Sequence, residues 1–168
     1  MKSWRCGCRR DDLTPVWNRW KYSVTGAARW SKRSSAKSWR AEHELPNRDS
    51  RPRRIALTSD DAVWYTDFPR GFLGRFDPKT GEVEEWLSPS GTSSQPYGIA
   101  TIDDVIWYVE TFPRPNALVR FDPSTETFQS WPIPSGGGVV RNMMATVDGT
   151  LVLACSALNR VALVEIGS

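Results

Sequence analysis

Residues 61–67 read D-A-V-W-Y-T-D and residues 104–110 read D-V-I-W-Y-V-E. Read as alternation of apolar and polar positions, each run is a short β-strand that closes on a carboxylate, Asp67 or Glu110. The likeness extends on both sides. Phe-Pro-Arg follows each run, at 68–70 and 112–114, and Arg-Phe-Asp-Pro follows at 75–78 and 120–123. Pro52-Arg-Arg-Ile-Ala56 matches Pro96-Tyr-Gly-Ile-Ala100 and then Arg141-Asn-Met-Met-Ala145, at steps of 44 and 45 residues. Trp86 matches Trp131 ahead of a connector rich in Ser, Gly and Pro, and Leu151-Val-Leu153 is a third, degraded copy of the Trp-Tyr strand. A period of 43–45 residues built from short strands is that of propeller blades.

Turn chemistry divides each repeat into four strands. In the second repeat the predicted strands are Tyr97–Ile102, Val105–Val109, Ala117–Asp122 and Thr127–Pro132. Asp103-Asp104 makes the first tight turn, and Pro123 sits at the second position of a type I turn. The matching turn of the first repeat ends on Gly81, which supplies a positive φ. Asp148-Gly149 marks a hairpin in the third repeat, which reaches its third strand near Val161–Ile166. The expected fold is therefore all-β: four-stranded antiparallel propeller blades over 52–95, 96–140 and, partially, 141–168, about two and three-quarter blades. Propellers usually close with about four to eight blades. Three blades leave apolar faces and edges open, so the sequence reads as a piece of a longer propeller, as one copy in an assembly that self-associates through those edges, or as an unstable truncation, the first being favoured.

Charge separates the first third of the chain from the rest. Residues 1–54 hold 15 Lys/Arg against 5 Asp/Glu, a net of +10, and residues 55–168 hold 7 against 14, a net of −7. The basic character therefore belongs to the leader, residues 1–51, and no nucleic-acid partner is expected for 52–168. The leader scatters Trp4, Trp17, Trp20, Trp30 and Trp39 among Arg, Lys and Ser with no sustained period. It reads either as disordered or non-native sequence or as a basic arm for nucleic acid or membrane. No apolar run is long enough for a membrane span or a signal-peptide core, and a cytoplasmic location is the expectation. Cys6-Gly-Cys8 is too tight for a zinc knuckle, and Cys155 in its apolar run reads as a core residue. Three cysteines make no disulfide framework. Gly136-Gly-Gly138 lacks the Lys-Ser/Thr of a phosphate loop and reads as a connector. The blade tryptophans, with Phe76 and Phe121, read as packing between blades.

P-Y-G-I-A at 96–100, W-Y-V-E at 107–110 and L-V-R-F-D-P at 118–123, closed by Trp131-Pro132, resemble the virginiamycin B lyase (streptogramin lyase) family. The resemblance covers roughly Pro52 to Gly167. It implies a seven-bladed propeller and an enzyme that opens the lactone of cyclic depsipeptide antibiotics by elimination. The family's magnesium polarises the ester carbonyl and a histidine removes the α-proton. Carried onto this chain, the resemblance implies metal binding by Glu110, with Asp67 as a second ligand or supporting acid. The plain alternative has each acid accepting from N–H groups of the following Phe-Pro-Arg loop, or pairing with Arg70 or Arg114. The family's histidine slot, just before the first strand of a blade, holds Arg53, Tyr97 and Asn142, which become candidate ligand contacts. Each is expected to lie beside the residue closing the second strand, in the pairs Arg53 with Asp67, Tyr97 with Glu110, and Asn142 with Cys155. No catalytic base is named, since His43, the only histidine, lies in the leader. The expected function is a streptogramin-lyase-like segment that is inactive as this chain. A non-catalytic binding scaffold and a gluconolactonase-like calcium-dependent hydrolase are the alternatives.

Overall fold

A computed structural model describes residues 42–167. The five leader tryptophans and Cys6-Gly-Cys8 lie outside them. Three antiparallel sheets follow one another along the chain. Blade 1 is β1 (Pro52–Leu57), β2 (Val63–Asp67), β3 (Phe72–Phe76) and β4 (Val83–Leu87). Blade 2 is β5 (Pro96–Ile102), β6 (Val105–Glu110), β7 (Ala117–Asp122) and β8 (Thr127–Pro132). Blade 3 has β9 (Val140–Ala145), β10 (Leu151–Cys155) and β11 (Arg160–Val164). Each sheet runs in chain order, the up-and-down meander of a propeller blade, and β1, β5 and β9 lie side by side at the inner edge. Among the described residues no helix is long and apolar enough to cross a membrane.

The turns form as their residues require. Asp103 and Asp104 both adopt positive φ, 50° and 61°, the pair that a two-residue hairpin needs. Gly81 has φ 81°, and Glu126 takes the corresponding place in blade 2 at φ 54°. These turns, with 58–62 and 146–150, gather at one end of the blades. The other loops, including the connectors from blade to blade, gather at the opposite end.

Alternation along β6 is not apolar against polar, as the sequence suggests, but one core against another. Ile106 and Tyr108 enter the core shared with blade 1, beside Trp64, Leu73, Ile99, Val119 and Phe121. Trp107 and Val109 enter the core shared with blade 3, beside Leu118, Met143, Leu151 and Leu153. A strand sandwiched between two sheets buries both of its faces, so I-W-Y-V carries apolar mass at every position. Tryptophan pairs brace the two cores: Trp64 stacks on Trp86 at 5.5 Å and Trp107 on Trp131 at 5.9 Å. The outward faces of the fan are bare. Ile55 and Leu57 are exposed on blade 1, as are Met144, Val161 and Leu163 on blade 3. Beside β11, where blades 1 and 2 carry a fourth strand, a cleft of about 720 Å³ leaves Trp131 half-exposed.

Candidate functional site

The inner strands begin at the connector end, and strand register sets the site there. Pro52 pairs with Asp67, Pro96 with Glu110 and Val140 with Cys155. A bulge follows each pair, so two residues oppose one: Arg53-Arg54, Tyr97-Gly98 and Arg141-Asn142. Arg53 and Tyr97 stand beside the closing acids, as the sequence suggests. The third position differs. Val140 faces Cys155, so Arg141 rather than Asn142 matches Arg53 and Tyr97. The inner strands keep a strict 44-residue step, and the extra residue of the third repeat is absorbed in the turn between Ala145 and Leu151.

Side chains link these positions into one rim. The Arg53 guanidinium lies 5.2 Å over the Phe68 ring, and Phe68 meets Tyr97 edge-on at 5.4 Å. The Arg54 guanidinium lies 5.6 Å over the Tyr97 ring, and its Nε donates to the Arg141 carbonyl at 3.0 Å. No motif in the sequence marks Arg54 or Arg141 as a rim position. Gly98 was the available signal, since a glycine inside a strand marks a bulge or a close backbone approach. A Cβ on Gly98 would sit 3.4 Å from the backbone of Asn142 and Val140.

Both closing acids are fully buried, and each is held by protein donors. Asp67 Oδ1 accepts from the Arg51 N–H at 3.0 Å and Oδ2 from Arg70 at 2.9 Å. Arg70 also bonds Glu85 through both amino groups, at 2.8 and 2.9 Å, and Tyr65 donates to Glu85 at 3.0 Å. The Arg70 guanidinium holds the Glu85 carboxyl below its ordinary range. Burial, reinforced by the bond to Glu85, pushes the Tyr65 hydroxyl well above its own. Glu110 Oε1 accepts from the Ser90 N–H at 2.9 Å and Oε2 from the Ser90 hydroxyl at 2.5 Å. Pairing with Arg70 thus holds for Asp67, but the other donors come from the stretch before the blade rather than from the Phe-Pro-Arg loop. Arg114 does not reach Glu110. Its Nη1 donates to the carbonyls of Thr111, Phe112 and Pro113 and to Asn116 Oδ1, between 2.7 and 3.0 Å. Burial raises the pKa of Cys155, which closes the third blade's second strand.

Magnesium, the metal that the resemblance implies, requires carboxylate oxygens turned toward it with room for several waters. Glu110 and Asp67 turn theirs into Ser90, Arg51 and Arg70, and neither side chain reaches solvent. Among the described residues no three His, Cys, Asp or Glu side chains are grouped as a metal site would need. These acids do not fit a magnesium centre in this arrangement. His43 packs on the Phe76 ring at 4.8 Å. Phe76 pairs with Val63, four residues from Asp67 along β2 and thus roughly 13 Å away, at the turn end.

No protein-family model matches the chain, and no curated protein sequence matches it. Solved structures do. Selenomethionine-substituted virginiamycin B lyase from Staphylococcus aureus superposes with a TM-score of 0.67 at 28% identity, over 75% of this chain and 42% of that one. A catalytically inactive histidine-to-alanine variant of that lyase, crystallised with quinupristin, gives 0.65 at 28% identity over 73% and 41%. A streptogramin B lyase structure gives 0.62 at 24% identity over 76% and 45%, a likeness of fold. The chain spans about two fifths of the length of the S. aureus structures that it matches. In strand topology and in the repeats that carry it, the described chain resembles part of virginiamycin B lyase, a β-propeller.

Proposed function

We propose that this chain is a ligand-binding propeller segment of the streptogramin-lyase kind, with its inner rim turned to a lactone or cyclic depsipeptide, and that it performs no ring opening by itself. The observation that carries this reading is the occupancy of the rim. The three equivalent positions hold Arg53, Tyr97 and Arg141, none able to act as a neutral-pH proton acceptor in the way a histidine does. The inactive S. aureus variant lacks a histidine, and the sole histidine here, His43, packs at the turn end. The engaged oxygens of Asp67 and Glu110 favour a structural role for both acids. Further blades, from other copies or from a longer chain, would cover Ile55 and Leu57 on one face and Val161 and Leu163 on the other.

Incubating the chain with quinupristin and magnesium, followed by mass spectrometry, tests the reading. The expected result is intact antibiotic at the buffer rate. A ring-opened isomer of unchanged mass would mean elimination and would overturn inactivity. A product one water heavier would instead indicate a lactone hydrolase, and the same assay with calcium would follow it. Magnesium is expected to leave the melting temperature unchanged in both the parent chain and Glu110→Gln, whereas a magnesium-dependent rise lost in the variant would restore Glu110 as a ligand.

A further inference from the structure

The arginines of this propeller differ in how they are partnered. Three are neutralised: Arg70, in the loop after β2, by Asp67 and Glu85, and Arg75 and Arg120, on the blade faces, by Asp60 with Glu84 and by Asp122. On the rim, Arg53, Arg54 and Arg141 are exposed and have no carboxylate partner among the described residues. The acids nearest to them in register, Asp67 and Glu110, are buried and already bonded to Arg70, Arg51 and Ser90. The rim therefore presents guanidinium groups whose nearest carboxylates in register, Asp67 and Glu110, have their oxygens engaged elsewhere.

Its cations are also held in place. Arg54 is fixed by the Arg141 carbonyl and lies over Tyr97, and Arg53 lies over Phe68. Phe68 and Tyr97 are only half-buried and meet edge to face, so the two guanidinium groups border one aromatic surface. Stacking restrains a guanidinium without consuming its N–H donors, and the Arg53 side chain donates no hydrogen bond to the described protein. Free guanidinium donors beside an apolar plate suit an oxyanion attached to a flat ring, which a bidentate guanidinium contact would hold.

We propose that the rim formed by Arg53, Arg54, Tyr97 and Arg141 binds the carboxylate of an aromatic acid, with the ring of the ligand against Phe68 and Tyr97. The proposal rests on the rim being the ligand-facing surface of the propeller, and it assigns a ligand charge that a neutral lactone does not have. Benzoate is the probe, with benzylamine as a control of the same ring and opposite charge, each titrated into the full chain and followed by NMR of the Tyr97 ring and the arginine Nε–H groups. Benzoate should give saturable shifts confined to the rim that weaken with added sodium chloride, while benzylamine gives none. Arg54→Gln, which keeps a donor for the Arg141 carbonyl but loses the charge, should weaken benzoate binding about tenfold. Lys79→Ala at the turn end should leave it unchanged. Equal binding of benzylamine, equal benzoate affinity in Arg54→Gln, or no saturable benzoate shift would each overturn the proposal. Ring opening of quinupristin would overturn the proposed inactivity yet leave the benzoate result standing, so the two readings fail separately.

Discussion

Asp67 in blade 1 and Glu110 in blade 2 close the same strand of the same repeat, yet a cation helps to hold the first and only neutral donors hold the second. The two blades differ at three places that explain this. Ser90, whose N–H and hydroxyl bind Glu110, has Pro46 one 44-residue period earlier, and proline offers neither group. Asp67 is instead reached by Arg70 from its own loop, and Glu85 on β4 shares that guanidinium. In blade 2 the residue matching Glu85 is Ser130, so Arg114 has no second acid to turn toward and lies among carbonyls. The third place is Gly74 against Val119. Tyr65 lies across Gly74, where a Cβ would sit 2.1 Å from the ring, and so its hydroxyl reaches Glu85. Tyr108 faces Val119 and turns to Ser88 at 2.9 Å. A repeat can thus preserve its backbone while the chemistry holding each copy diverges, provided that each buried carboxylate finds a partner.

The comparison is broken most severely at Arg70. Arg70→Ala leaves Asp67 and Glu85 without their cation in a largely buried setting, and it should cost about 3 kcal/mol or more in denaturant unfolding. The matching Arg114→Ala removes only neutral acceptors' partners and should cost about 1 kcal/mol. Equal losses would mean that charge does not distinguish the two blades. Gly74→Val imports the packing of blade 2 into blade 1 and drives Tyr65 off Glu85, at about 2 kcal/mol by the same measurement. Adding Glu85→Ser to it should bring blade 1 no closer to blade 2 unless Tyr65 finds a new acceptor, which a crystal structure of the double variant would reveal.

A smaller effect is the pH dependence. The folded-state pKa of Glu85 lies below its ordinary 4.5. Its contribution is therefore complete above about pH 4.5 and lost as pH falls through the lower folded value. Asp60, lowered to about 2 chiefly by the Thr58 hydroxyl, acts in the same direction at the exposed turn end. Glu85→Gln should flatten the acid limb of stability below pH 4.5 without changing it near neutrality beyond a constant offset. An acid limb as steep as that of the parent would assign it elsewhere.

Much of the blade architecture was legible because it is local. Pro123, Gly81 and Asp148-Gly149 mark turns by their own backbone preferences, and the predicted strands of blade 2 match β5 to β8 within one residue at each end. The site was less legible. Arg53, Tyr97 and the closing acids stand together as expected, but the bulges that add Arg54 to the rim and replace Asn142 by Arg141 are properties of pairing between strands. The donors to Glu110 come from a connector 20 residues earlier, beyond the reach of a motif read in sequence.

By itself, then, the sequence determined a four-stranded repeat, its step and its turns, since strand and turn preferences act over a few residues, and its motifs carried a likeness to streptogramin lyases. Only the tertiary structure decided which way each buried acid turns and which arginines remain unpaired. Those outcomes depend on whether a neighbouring blade presents a hydroxyl, a proline or a cation within hydrogen-bond distance, and desolvation makes that difference decisive.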